Sequence, residues 1–207
     1  MTDAEMKSIV DTGHSFGRKV TAHAHGKEGI DAALRAGVDS IEHGSFIDDE
    51  TVKLFKAEGA ALVPTAVAPI AALAQARRGD APAPQLAKAE EAAAAHAASM
   101  ARAVKGGVRI LFGTDSGVAP HGDNAKEFAL MVKAGMTPAQ AIKSATADNA
   151  AELDRPIGVI ATGRDADIIA IAADPLADVT ALEKVDFVMR RGVVHKLGGK
   201  RQPFPPE

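Results

Sequence analysis

The chain has 207 residues, 46% of them hydrophobic, enough to build one ordinary domain or one domain with a small appendage. A net charge of −3, only 3% aromatic residues and no Trp or Tyr exclude a basic or base-stacking nucleic-acid surface, and no apolar run of about 18 residues is present to span a membrane. With no cysteine, disulfides and thiolate metal sites are excluded, so any metal must be held by histidine and carboxylate. Met1-Thr-Asp-Ala-Glu5 carries neither the basic nor the apolar region of a secretory leader, and the expected location is the cytoplasm.

Thr2 and Glu5 have capping-box spacing, which predicts a helix running to about Phe16 and stopped by Gly17. A strand is expected over Lys19–Ala24, a short helix over Glu28–Ala36 closed by Gly37, and a strand over Val38–Glu42. Asp48 or Asp49 caps a helix reaching Glu58, Gly59 ends it, and Ala60–Val63 reads as the third strand. Residues 66–83, rich in Ala, Pro, Arg and Gly, read as an irregular loop that could cover the strand ends. An alanine-dense helix over Pro84–Val104 leads to a fourth strand, Val108–Phe112. Thr137-Pro138 opens a helix through Ser144.

Past Leu153 the pattern changes to short strand-like runs: Ile157–Ile160, Ala166–Ala172, Val185–Met189 and Gly192–Lys196, with a hairpin expected over Val188–His195. The expected division is residues 1–153 as a (β/α) unit and residues 154–207 as part of a small β-rich unit, with a tail frayed from Pro203 to Glu207. The fold class is therefore α/β, with helices alternating with parallel strands.

Three of the strand runs end in metal-competent side chains followed by glycine. They are Val-Thr-Ala-His23-Ala-His25-Gly26, Val38-Asp-Ser-Ile-Glu-His43-Gly44 and Val108-Arg-Ile-Leu-Phe-Gly-Thr114-Asp115-Ser-Gly117. Parallel strands of a (β/α) barrel present catalytic groups at their carboxyl ends in this way. Histidine with carboxylate suits zinc or a similar divalent ion, so the chain reads as a metallohydrolase. His25 lies two residues beyond His23, on the same face of an extended strand, where it could chelate with it. His14, His96 and His195 have no such context and read as surface residues, and Arg77-Arg78 as a solvated pair.

Together, Ala22-His-Ala-His-Gly26, Ser40-Ile-Glu-His-Gly44, Gly113-Thr-Asp-Ser-Gly117 and Pro120-His-Gly122, with Asn124 beyond, resemble the amidohydrolase superfamily, in its imidazolonepropionase-like and Xaa-Pro-dipeptidase-like branch. Gly163-Arg-Asp-Ala-Asp167 and Asp174-Pro-Leu resemble that family's β-sandwich return. The resemblance implies the second half of a TIM barrel, about four strands, with a C-terminal β-rich appendage. The family's first-strand His-x-His and bridging carbamylated lysine have no counterpart here, and a complete barrel takes about 200 to 250 residues.

By that resemblance His23 and His43 are metal ligands, and Asp115 is both a ligand and the catalytic proton carrier. His25 faces the substrate unless it chelates, and His121 either contacts substrate or caps the helix that follows. Taken alone, Asp115 in Gly-Thr-Asp-Ser-Gly also fits an ordinary turn. Glu42 is expected to point away from His43. The cofactor implied is a divalent metal, zinc, as one or two ions. The reaction implied is hydrolysis of amide or peptide bonds in small substrates, dipeptides or N-acyl amino acids, by metal-activated water. Two alternatives stay open: a mononuclear cyclic-amide hydrolase or deaminase, and a non-catalytic assembly module. Expected partners are a small-molecule substrate and either a second copy or a complementary N-terminal half, because four strands leave sheet edges open.

Overall fold

A computed structural model describes residues 1–80 and 82–203, so the tail expected to fray lies, from Phe204 on, outside the described residues. The chain forms two compact units, Met1–Met136 and Thr137–Glu207, so the division falls ahead of the last helices and not at Leu153.

In the first unit α1 (Asp3–Ser15) opens on the capping box read from the sequence, with the Glu5 amide donating to Thr2 and the Thr2 amide donating to Glu5. β1 (Thr21–Ala24), α2 (Lys27–Ala36), β2 (Ser40–His43), α3 (Asp49–Glu58) and β3 (Ala61–Val63) follow at the expected places. Asp48 is the α3 cap, its carboxylate accepting from the amides of Glu50 and Thr51. Gly37 and Gly59 take the left-handed conformation that ends α2 and α3. β4 (Arg109–Ile110) is shorter than expected, although the Leu111 amide still donates to the Leu62 carbonyl at 2.9 Å.

The sheet is parallel throughout, in the order β1-β2-β3-β4, with a helical segment in every crossover. One face is sealed by helices: Ile41 and Leu62 from the strands and Ile30, Leu34 and Phe55 from the helices are fully buried. Each such side chain contributes on the order of 1.5–3 kcal/mol on leaving water. In-register Thr21, His23, Glu42 and Val63 occupy the other face. β1 is the outer strand, and its residues alternate between exposed and half-buried, whereas β2 is almost wholly buried. Beside it, Met6, Ile9, Val10, Val20 and Ala33 border an apolar groove of about 390 Å³.

Residues 66–83 depart from the expected loop. Val67–Gln75 is a helix, α4, continued by a wider turn over Ala76–Asp80 that breaks at left-handed Gly79. Pro69 sits in the first turn of α4, where no backbone donor is required, so its presence does not signal a loop. The alanine-dense helix α5 (Ala83–Lys105) then runs as expected, but His96 on it is 2% exposed and not at the surface. It is internal because its Nε2 bonds the Pro64 carbonyl at 2.6 Å.

α6 (Lys126–Lys133) is the helix expected to follow His121, for which the sequence suggested no bounds. It carries Glu127, fully buried, whose two carboxylate oxygens accept the amides of Ala66 and Val67, each at 2.8 Å. Burial pushes this carboxyl up to about 7, against the pull of those two amides. The unfolded chain releases this proton near 4.5, while the native state holds it to about 7, so Glu127 favours folding below 4.5 and that contribution is lost as pH rises through 7. Its size is about 3 kcal/mol. Urea titrations of the metal-free chain should therefore show wild type losing stability between pH 4.5 and 7 relative to Glu127→Gln, which cannot ionise. Parallel curves for the two would refute the assignment.

The second unit begins with α7 (Pro138–Lys143), capped reciprocally by Thr137 and Gln140, and a short α8 (Asn149–Glu152). An antiparallel sheet follows in sequential order: β5 (Ile168–Ile171), β6 (Val185–Arg190), β7 (Val193–Leu197) and β8 (Lys200–Arg201). The expected hairpin is present, with Arg191-Gly192 both at positive φ as a tight turn between right-twisted strands requires. The strand expected over Ile157–Ile160 does not form. Gly158 is left-handed there and lies so close to the Thr146 carbonyl that a Cβ would sit 2.5 Å from it. Among the described residues no helix is long and apolar enough to cross a membrane.

Candidate metal centre

Strand alternation alone would put His43 on the helix-covered face with Ile41, since Glu42 is in register with His23. The backbone overrides this. His43 has φ +74°, a left-handed conformation that a histidine adopts at a cost of about 1–3 kcal/mol, and it re-aims the ring across the strand ends. The next position favours glycine. Gly44 is also left-handed, and a Cβ there would lie 2.6 Å from the Leu62 side chain.

The result is a cluster of three imidazoles. His43 Nε2 lies 2.8 Å from His23 Nδ1, and the His25 ring stacks on His43 at 4.7 Å with 7° between planes. One ring nitrogen from each of His23, His25 and His43 falls within 4.8 Å of the other two. Each outer contact is fixed by a hydroxyl: His25 Nδ1 meets Ser45 Oγ at 2.8 Å, and His43 Nδ1 meets Thr65 Oγ1 at 2.7 Å. Thr65 donates its only proton to the Pro64 carbonyl at 2.7 Å, so it must accept from His43 Nδ1–H. That leaves the lone pair of neutral His43 on Nε2, facing His23.

The electrostatics keep two of these rings, His25 and His43, uncharged. Burial first, then His25 and His23, hold the His43 imidazole down to about 4, with Asp115 opposing them. His25 is lowered first by burial, then by His23. Neutral imidazole is the form that binds a metal.

The remaining expected residues are placed as follows. Asp115 follows β4 at φ +49°, outside the three-histidine set, yet its charge acts on His25, His43 and Glu42. Its neighbours Thr114 and Ser116 bond each other at 3.0 Å, and Asn124 Nδ2 donates to both, at 3.1 and 2.6 Å. His121 is exposed in the turn before Asn124 and does not cap α6, whose cap position is Ala125. Glu42 stands on the His23 face, takes a hydrogen bond from Thr21 at 2.9 Å, and is raised by burial and by Asp115. His14 is at the surface on Asp39, His195 is half-buried, and Arg77 pairs with exposed Glu90. The roles of Thr65, Glu127 and the left-handed His43 are not visible in the sequence pattern, because each depends on a partner brought in by the fold.

The amidohydrolase family profile matches residues 1–195. The chain is 37% identical over 203 residues to an ochratoxinase of Aspergillus niger, covering 94% of this chain and 42% of that one. A crystal structure of a Xaa-Pro dipeptidase with methionine bound in its active site superposes with a TM-score of 0.88 at 38% identity, covering 95% of this chain and 49% of the other. A putative prolidase from Bifidobacterium longum gives a TM-score of 0.86 at 34% identity, with 98% and 53% covered. The chain thus spans about half the length of the relatives it matches, and its parallel sheet is part of their barrel fold.

Proposed function

The chain belongs to the amidohydrolase family, and we propose that it carries one half of the site of an enzyme that hydrolyses amide or peptide bonds in small substrates, with zinc as the metal. The observation that supports this reading is the convergence of three ring nitrogens, from His23, His25 and His43, at the carboxyl ends of adjacent parallel strands. The donor set fits a divalent ion of borderline softness: three imidazoles, two of them held neutral, in a chain with no thiol.

His23 and His43 are the principal ligands in this reading, and His25 or Asp115 completes the set. When bound, the ion supplies Lewis acidity towards a water and a substrate carbonyl. The protein's own groups do the rest. Thr65 holds the His43 ring in the tautomer that leaves Nε2 open, and Asp115 accepts a proton at its carboxylate and returns it to the leaving amine. His121, in the exposed turn, faces substrate. Dipeptides and N-acyl amino acids are the substrates in this reading, in keeping with the dipeptidase among the relatives. Equilibrium dialysis should find one zinc per chain, abolished by His23→Ala with His43→Ala. No bound zinc in the wild type would refute the reading.

The same reading makes the outer edge of β1 an interface, for a second copy or a complementary half. Among the described residues that strand is the edge of its sheet, and it lies beside an apolar groove. Light scattering should give a mass above 21.3 kDa for the purified chain. A stable monomer at micromolar concentration would count against it.

A further inference from the structure

We propose that Asn124 and Glu127, three residues apart in one short segment, are positioning residues that brace both strand-end loops of the centre, Glu127 acting on His43 through Thr65 and Asn124 acting on Asp115. The inference rests on the reading of His43 as a ligand and goes beyond it by assigning work to residues that touch no ligand atom.

Five non-glycine residues among those described have a left-handed backbone, and three of them, His43, Thr65 and Asp115, are at this centre. A β-branched residue such as Thr65, at φ +52°, is a genuine outlier, and such a conformation persists only where neighbours over-determine it. Those neighbours are identifiable. Directly after Thr65, the amides of Ala66 and Val67 are each taken by one oxygen of the fully buried Glu127 carboxylate. Directly before it, the Pro64 carbonyl is held by His96. With its flanks clamped, the Thr65 hydroxyl has one place to be, donating to Pro64 and accepting from His43 Nδ1. The chain of contacts therefore ends at the proton that decides which nitrogen of His43 is free.

The second arm has the same logic. Asp115 stands at φ +49° between Thr114 and Ser116, and both hydroxyls on either side accept from the Asn124 amide. Asn124 Oδ1 in turn accepts the Gly122 amide at 3.2 Å, closing the turn on itself. One segment thus orients an imidazole from β2 and a carboxylate beyond β4.

The test uses the 207-residue chain with Glu127→Gln, Glu127→Asp, Asn124→Ala and Thr65→Val. In the metal-free protein, long-range ¹H–¹⁵N spectra of the imidazoles should show His43 as a single Nδ1–H tautomer in the wild type and a mixture in Glu127→Gln and Thr65→Val. Zinc affinity, measured by competition with a chromogenic chelator, should fall about 10- to 100-fold in Thr65→Val, the range seen when an outer partner of a ligand is lost, and in the same direction in Glu127→Gln. Asn124→Ala should leave the His43 tautomer alone and shift the Asp115 carboxyl ¹³C resonance. Folded variants with wild-type tautomer, wild-type zinc affinity and only a lower Tm would make these merely structural residues and overturn the proposal. If both Glu127 variants aggregate, an unchanged His43 tautomer in Thr65→Val overturns it just as well. A wild type that binds no zinc would defeat the reading of the centre while leaving the tautomer result to decide the brace.

Discussion

Loaded with zinc or manganese, the chain by itself is expected to hydrolyse dipeptides and N-acyl amino acids no faster than buffer. Hydrolysis of an amide needs a positioned nucleophilic water, a polarised carbonyl and a proton carrier together, and each contributes several kcal/mol that act as a unit. Three imidazoles and Asp115 provide part of that set on one open sheet, with His23 and His25 exposed to water that a closed site would exclude. Supplying the complementary barrel half should restore turnover by several orders of magnitude, and Asp115→Asn should remove it again. Turnover by the 207-residue chain that is lost in Asp115→Asn would show that this half is a complete catalyst. Restored turnover that survives the substitution would remove Asp115 from the mechanism.

The second large effect concerns which side chains hold the metal. His23→Ala and His43→Ala should each weaken zinc binding by more than the roughly 100-fold at which outer partners reach their limit, because each removes a nitrogen that meets the other at 2.8 Å. His25→Ala and Asp115→Asn then separate the two ligand sets. The ring of His25 is already stacked on His43 with one ring nitrogen inside the cluster, whereas Asp115 reaches the cluster through its charge alone. In this chain His25→Ala should therefore weaken zinc far more than Asp115→Asn. The reverse order would mean that the loop after β4 moves in on metal binding and that His25 is left for the substrate.

Most of the parallel sheet was legible because it is written locally. Three of the strand runs end in metal-competent side chains followed by glycine, and several helices carry a side-chain cap that the sequence shows, at Thr2, Asp48 and Thr137. What escaped was decided at a distance. α6 has only eight residues, with an acid at its buried second position, so its apolar stripe is interrupted at the point where the fold needs Glu127. The amides that satisfy that acid come from a segment some sixty residues earlier in the chain. His96 was misplaced for a related reason: an alanine-dense helix shows little contrast between its faces, and only the Pro64 carbonyl makes one of them internal. The direction of His43 could not follow from alternation, since a left-handed residue ends the alternation at that point.

The left-handed backbone at Thr65 and Asp115 also sets a direction for any laboratory evolution of this chain. Glycine at either position would relieve about 1–3 kcal/mol of conformational strain, set against about 0.5–1 kcal/mol of added chain entropy and, at buried Thr65, a lost hydrogen bond to His43. It would also delete the hydroxyl that sets the tautomer of His43, or the carboxylate whose charge the cluster feels. A screen that rewards only heat resistance or soluble yield would therefore tend to collect glycine at exposed Asp115 and return sturdier proteins with a disarmed centre, so selection has to include metal retention from the first round.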